Sequence, residues 1–268
     1  MTTADEPRAE PQVRFRDPQI EMAHGAGGKA SRRLVEGLFA PLFFGAGKGA
    51  REPLADAAHL EVDGARLAFT ADSFVVRPLR FPGGSIGELA VHGTVNDLAV
   101  SAAKPLALLV TLVLEEGLSG AALEAEARAL AGAAERAGVA IVGGDTKVVE
   151  RGKADGMYIT TAGIGRLDPR ARCSARAVEP GDRVLLSGPI GDHGITILLA
   201  RGDIDLEADL RSDTRSVYPL VAALLDAAAA GVRWMRDPTR GGVATALNEL
   251  ARDCGLGIAL DEEEIPVR

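Results

Sequence analysis

Cysteine is scarce. The two present in 268 residues, Cys173 and Cys254, have no metal-type spacing. A disulfide-stapled secreted scaffold is therefore not expected, and a cytoplasmic protein without structural disulfides is. Long apolar runs are missing as well. The longest, LALLVTLVL at 106–114, falls far short of the ~20 residues that a bilayer span needs. The opening MTTADEPRAEPQVRFRDPQ is polar and has no apolar h-region, so no secretory signal is visible. Basic charge is not in excess: 30 Lys and Arg stand against 38 Asp and Glu, a net charge of −8. This argues against nucleic acid or an anionic membrane surface as partner. The phosphate-binding pattern G-x-x-x-x-G-K-[ST] is also absent.

The residues that are present suit a globular chain of one large or two ordinary domains: 47% are hydrophobic and 25% charged. Residues 1–19, rich in Pro, Glu and Arg, read as a disordered or loosely attached leader. Ser31 can open a helix whose apolar positions are Leu34, Val35, Leu38 and Phe39. HLEVDGARLAFTADSF reads as a hairpin turning at Asp63-Gly64. SIGELAVHGTVNDLAVSAA is helical and KPLALLVTLVLEE a buried strand. Ser119 caps a helix that Gly138 closes. VAIVGGDTKVVE and GMYITTAGIGRL are strands, and 168–184 connects to a second domain. There, VLLSGPIG is a strand entering a glycine loop, followed by helices at DHGITILLARG, at roughly 216–231 and at GVATALNELARDCG. GIALD begins a further strand. Strands and helices mix without strict alternation, so the class is α+β, with an N-terminal domain at 20–167 and a partial C-terminal α/β domain at 168–268.

Several polar residues sit where apolar ones are expected. Advancing ~100° per residue from Ile86 places Asp97 at about 20°, with Leu89, Ala90, Gly93 and Val100 within about 80° of it. A buried carboxylate is costly unless it is hydrogen-bonded, paired or bound to a metal. Asn96 adds a donor and an acceptor beside it, and Gly93 permits close approach. His92 falls on the polar side of the same helix and reads as solvated. Asp72 lies within a strand, which disfavours aspartate. In IVGGDTK, Gly143 and Gly144 lead into Asp145, Thr146 and Lys147; Asp suits a hard cation and Lys a phosphate. HGAGGK gathers His24, Gly25, Gly27, Gly28 and Lys29, a loop type that can cover phosphates. DPTRGG at 237–242 repeats the theme, although a helix-start turn explains it equally well. Each string alone has an ordinary structural reading. Together, the three aspartates and two lysine-bearing glycine loops fit an Mg²⁺-nucleotide site.

The chain resembles the HypE family of hydrogenase maturation factors. That family lies within the superfamily of phosphoribosylaminoimidazole synthetase, selenophosphate synthetase and thiamine-monophosphate kinase. The matching strings are HGAGGKA (24–30), ADSFVVRPLRFPGGSIGELAVHGTVNDLAVSAAKP (71–105), GGDTKVVERG (143–152), SGPIGDHG (187–194) and DPTRGGVA (237–244). The resemblance implies a two-domain fold whose N-terminal mixed sheet pairs with a second subunit into a barrel-like homodimer, with ATP and Mg²⁺ as cofactors. It implies ATP-dependent dehydration of a cysteine-linked thiocarboxamide to a thiocyanate, the source of the cyanide ligands of [NiFe] hydrogenase. A carbamoyltransferase and an iron–cyanide scaffold are the implied partners. Carried over by position, Asp72, Asp97 and Asp145 are the metal set. Asp97 and Lys147 are catalytic. His24, Gly25, Gly27, Gly28, Lys29, Asn96, Gly143, Gly144 and Thr146 are cofactor-binding. The family's cysteine-ending tail and its Asn-Glu-Gly segment are not in the sequence, so a truncated chain unable to carry the thiocarboxamide is expected. Alternatives are another phosphotransfer enzyme of the superfamily or a non-catalytic nucleotide-binding scaffold. HGAGGKA lacks the cysteine of selenophosphate synthetase, and ADSF lacks the paired aspartates of thiamine-monophosphate kinase.

Overall fold

The computed structural model describes residues 13–44, 55–205 and 208–267. They fall into two compact units, one of 13–44 with 238–249 and the other of 55–237 with 250–267. Residues 1–12 of the expected leader lie outside the described residues. Its remainder is tied down in the first unit, where Asp17 pairs with both His24 and Arg33. In that unit α1 (Gly28–Leu34) runs through a π-helical turn at Val35–Phe39 into α2 (Ala40–Phe44). The helix thus starts three residues before Ser31, whose Oγ accepts the Gly27 N–H at 2.8 Å instead.

The second unit is built on a sheet of five strands: β1 (Ala58–Val62), β2 (Ala65–Phe74), β5 (Ala103–Glu115), β6 (Ala140–Val149) and β7 (Met157–Leu167), in the order β1-β2-β7-β5-β6. Within it only the β5–β6 pair is parallel. Asp63 and Gly64 turn β1 into β2 with φ of 49° and 78°, the left-handed pair that a two-residue hairpin requires. The short β3 (Arg80–Phe81) and β4 (Gly84–Ser85) precede α3 (Ile86–Val100), which is capped by the Ser85 hydroxyl. Ser119 caps α4 (Gly120–Ala137), and Gly138 ends it at φ 65°.

One face of the sheet is covered. Ile86, Ala90, Val91 and Val95 of α3 and Leu130, Ala133 and Ala134 of α4 pack with Leu108, Met157 and Ile159 from the strands. Among the described residues of this unit, no helix covers the opposite face. Phe69, Leu106 and Leu109 remain 43%, 42% and 47% exposed, so β5 is central in the ladder yet covered on one side only. The expectation of a buried β5 holds on the face that carries Leu108 and not on the other, because helices cover a single layer.

Beyond the sheet come α5 (Asp192–Arg201), α6 (Tyr218–Ala228) and α7 (Gly242–Cys254). Val221 and Leu225 of α6 pack on Ala99 and Ala102, so α3 is enclosed from a second side. That is why α3 carries two apolar stripes. It also corrects the reading of His92, which is only 7% exposed because its helix has no solvated side there. The expected strands at 184–191 and 257–261 join no ladder among the described residues, and Val184, Leu185 and Leu186 stay 50%, 81% and 40% exposed.

Candidate functional site

Asp97 stands in the last turn of α3, facing β2. Its Oδ2 lies 2.9 Å from Thr70 Oγ1, and the same Thr70 oxygen lies 2.9 Å from the Asp56 carbonyl. A hydroxyl has one proton and cannot donate to both. The Thr70 proton can serve either the ionised Asp97 or the Asp56 carbonyl, and both are satisfied at once when a protonated Asp97 donates to Thr70 while Thr70 donates to Asp56. The electrostatics agree: burial, then the charges of Asp237, Asp56 and Asp72, push Asp97 up to about 8 against the pull of the Thr70 bond.

Carboxylate oxygens of Asp56, Asp97 and Asp237 all lie within 4.8 Å of one another. Three converging hard oxygen donors fit a divalent cation, which neutralises their mutual repulsion. Arg236 Nε holds Asp56 Oδ1 at 3.0 Å and offsets part of that charge. Asp72 flanks the cluster two residues beyond Thr70 on the same side of β2 and adds to its field. Asp56 and Asp237 are not among the ligands expected from the sequence. DPTRGG stands out there as a string, but a helix-start turn explains its aspartate.

Asp145 lies elsewhere in the chain. It is on edge strand β6, with β5 and β7 between it and the Asp72 strand, so roughly 14 Å of sheet separates the two strands at about 4.8 Å per step. Asp145 is exposed and pairs with Lys147 Nζ at 3.3 Å. The Thr146 backbone N–H and then Lys147 hold its carboxyl below the usual aspartate range. Gly144 packs on the Val110 backbone, and any Cβ would collide with the Val110 carbonyl. Gly143, Gly144 and Thr146 therefore form a strand rather than a free loop.

Other assignments change once neighbours are in view. His24 is buried; its Nδ1 accepts the Glu21 N–H at 2.9 Å and its Nε2 lies 3.1 Å from Asp17. It anchors the first unit's glycine loop from beneath. Gly25 closes that anchoring turn, its N–H donating to the Met22 carbonyl at 3.0 Å. Gly27, at φ 85°, sits against the Arg240 carbonyl, where a Cβ would come within 2.8 Å, so HGAGG and TRGG meet backbone to backbone within that unit. Gly28 and Lys29 form the first turn of α1, with Lys29 exposed. Gly93 makes room not for a ligand but for the Phe74 ring, 2.6 Å from where its Cβ would stand. Asn96 is also occupied: Nδ2 donates to the Arg215 carbonyl at 3.0 Å, and Oδ1 accepts the Val217 N–H at 2.8 Å.

Residues 54–167 match the profile of the AIR synthase related protein, N-terminal domain, and residues 179–268 match that of its C-terminal domain. The chain is thus an AIR synthase-related protein of α+β class. Within that class it is 49% identical over 254 residues to the carbamoyl dehydratase HypE of Rhodobacter capsulatus, covering 95% of this chain and 74% of that protein. It superposes on HypE in a HypE–HypF complex with TM-score 0.80 at 43% identity, covering 88% of this chain and 75% of that one. On a HypE bound to ATP the TM-score is 0.73 at 44% identity, covering 92% and 72%. The chain belongs to the carbamoyl dehydratase HypE family, and that family is one of enzymes.

Proposed function

We propose that this chain carries out ATP-dependent dehydration of a cysteine-linked thiocarboxamide to a thiocyanate, in the assembly of the cyanide ligands of [NiFe] hydrogenase. The observation that carries the reading is the Asp56–Asp97–Asp237 cluster in a chain of this family. ATP binding is supported by the likeness to HypE solved with ATP.

The chemistry is balanced as follows. The amide oxygen of R–S–C(O)NH₂ attacks the γ-phosphorus of ATP and ADP leaves. A nitrogen proton departs as the C–N bond shortens, and the C–O bond breaks to release phosphate and R–S–C≡N. An amide oxygen leaves poorly until it is phosphorylated, so ATP supplies the leaving group. Mg²⁺, held by Asp56, Asp97 and Asp237 with Asp72 alongside, would screen the phosphate oxygens. Asp97, at the centre of that cluster, is assigned the nitrogen proton, with the cation's charge lowering its carboxyl from the raised value it has in the metal-free cluster. Lys147 and Lys29 are assigned to phosphate, and so are the glycines of HGAGG and the GGDT strand. The acceptor sulfur is assigned to neither cysteine of the sequence: Cys173 Sγ points at the Val232 carbonyl, and Cys254 Sγ bonds back to Ala251 within α7.

The partition into 20–167 and 168–268 is supported by the two family profiles. A homodimer through the open sheet face accounts for its exposed Phe69, Leu106 and Leu109. In such a dimer Asp145 and Lys147, on the edge strand, serve the partner subunit's site. A HypF-type protein is the proposed carbamoyltransferase partner, on the strength of the HypE–HypF complex, and an iron–cyanide scaffold is the proposed acceptor. No helix among the described residues is long and apolar enough to cross a membrane.

The test is to supply ATP, Mg²⁺ and a thiocarboxamide-modified cysteine peptide of the family's tail sequence, and to follow the peptide by mass spectrometry. Loss of one water with release of ADP and phosphate is expected. ATP consumption with the peptide mass unchanged would sink the reading.

A further inference from the structure

Asn96 and Asp97 are neighbours on α3 with opposite duties. Asp97 faces Thr70 and the other carboxylates. The Asn96 carboxamide spends one donor and its acceptor on the main chain of a distant segment, at the Arg215 carbonyl and the Val217 N–H. Val217 is the residue that begins α6 and has no polar side chain to cap it. Asn96 therefore fixes the entrance of α6 from another helix.

The segment leading into α6 is anchored upstream too. The Ser212 N–H donates to the Pro82 carbonyl at 2.9 Å, His193 Nδ1 lies 2.9 Å from Ser212 Oγ, and Arg215 Nη2 donates to the Ser187 carbonyl at 3.1 Å. Downstream, Val221 and Leu225 of α6 pack on Ala99 and Ala102, and Val232 and Met235 join the same cluster. Asp237 follows Met235 by two residues. The path from Asn96 to Asp237 thus runs through one helix and one apolar cluster, all within the second unit.

We propose that Asn96 is a positioning residue: by holding the backbone of Arg215 and Val217 it seats α6 on α3, and through α6 it sets Asp237 against Asp97. This rests on the reading of Asp56, Asp97 and Asp237 as a cation site. Asn96 then needs no contact with nucleotide. The motif has an asparagine because a carboxamide offers a donor and an acceptor at once to neighbouring main-chain groups.

The test uses two variants that break one bond from opposite sides. Asn96→Ala removes the carboxamide, and Val217→Pro removes the N–H it accepts together with the valine side chain's packing on the α6 cluster, without touching a carboxylate. The probes are Mn²⁺ alone, by titration calorimetry, and exchange of the Val221 amide, which closes the first turn of α6 on the Val217 carbonyl at 3.0 Å. Both variants should speed Val221 exchange and raise the Mn²⁺ dissociation constant roughly tenfold, the scale for removing groups that orient metal ligands. Weaker Mn²⁺ binding in Asn96→Ala with Val217→Pro unchanged would overturn the proposal, because Asn96 would then act on the ligand directly. Unchanged Val221 exchange in both would overturn it as well. If Asn96→Ala fails to fold, Val217→Pro decides alone. Asp97→Asn is the separate control: Mn²⁺ binding as tight as in the parent would reject the cation site itself, whereas Val221 exchange reports the latch independently.

Discussion

Thr70 Oγ1 bridges Asp97 Oδ2 and the Asp56 main chain, 2.9 Å from each. A single hydroxyl thereby ties α3 to the segment before β1 and brings two of the three clustered aspartates together. Thr70 is 7% exposed, so neither of its partners finds water easily on its side. Thr70→Val keeps the shape and removes the hydroxyl. Leaving buried acceptors unpaired costs about 1–3 kcal/mol, and urea unfolding should show a loss of that size. The Thr70 bond also holds the Asp97 carboxyl down, so carbon-detected NMR titration of the variant should find Asp97 ionising at still higher pH.

Asp97→Asn separates stability from function. Burial and then the neighbouring carboxylates push the native carboxyl up to about 8 from its ordinary 3.8. Between these values the native state keeps a proton that the unfolded state has released, so in chelator the parent's stability falls as pH rises through that window. Each tenfold difference in proton affinity between the two states is worth about 1.4 kcal/mol, which makes the cost near neutrality of the order of a few kcal/mol. Asparagine is neutral and can make the same bond to Thr70. The variant should melt higher than the parent at pH 8 in EDTA, with little difference at pH 4. Mg²⁺ should raise the parent's melting temperature and leave the variant's unmoved. Equal pH profiles for the two proteins would show that Asp97 is not the strained group.

What can be read from the residues and what cannot divides along contact distance. The Asp63-Gly64 turn, the Ser119 cap and the Gly138 stop are local, and each stands where its chemistry places it. Asp97 is conspicuous because helical period alone puts it among apolar neighbours. Asp56 and Asp237 are not, because each lies in a short irregular segment and acquires meaning only when β2, α3 and the segment after α6 converge. Gly93 and Gly144 are legible as positions needing close approach. Their partners, the Phe74 ring and the Val110 backbone, depend on tertiary packing and strand register that no local pattern encodes. The stretches at 184–191 and 257–261, unpaired among the described residues, show the converse: an apolar β-type pattern specifies a strand only when another strand is there to complete the ladder.

His92 supplies a pH dependence of opposite sense. It is buried, its Nδ1 has no partner among the described residues, and burial with the nearby Arg136 charge pushes its pKa down to about 4. Below its ordinary value of 6.5 the unfolded chain takes up a proton that the native imidazole refuses. Stability present above about pH 6.5 is therefore lost as pH falls toward 4, by up to roughly 3 kcal/mol. His92→Gln should flatten this acid limb, measured as urea midpoints from pH 7 to pH 4.5. An imidazole NMR titration with a midpoint near 6.5 in the folded protein would refute the assignment.

Gly144→Ala probes whether the glycine pair of GGDTK serves the strand or the ligand. An alanine Cβ would fall on the Val110 carbonyl, so β6 must shift outward from β5 where the register slips between Leu108 and Leu109. Overpacking of this kind costs typically 1–3 kcal/mol. Being at the sheet edge, the strain is relieved by local detachment, so amide exchange should quicken along Gly143–Lys147 while Met157–Leu167 of β7 stays protected. Gly143→Ala is the comparison: its Cβ would meet only the Leu109 side chain, at 3.4 Å. It should leave β6 protected. If both glycines instead leave exchange untouched and only nucleotide affinity falls, the pair is there for the ligand, and the strand merely carries it.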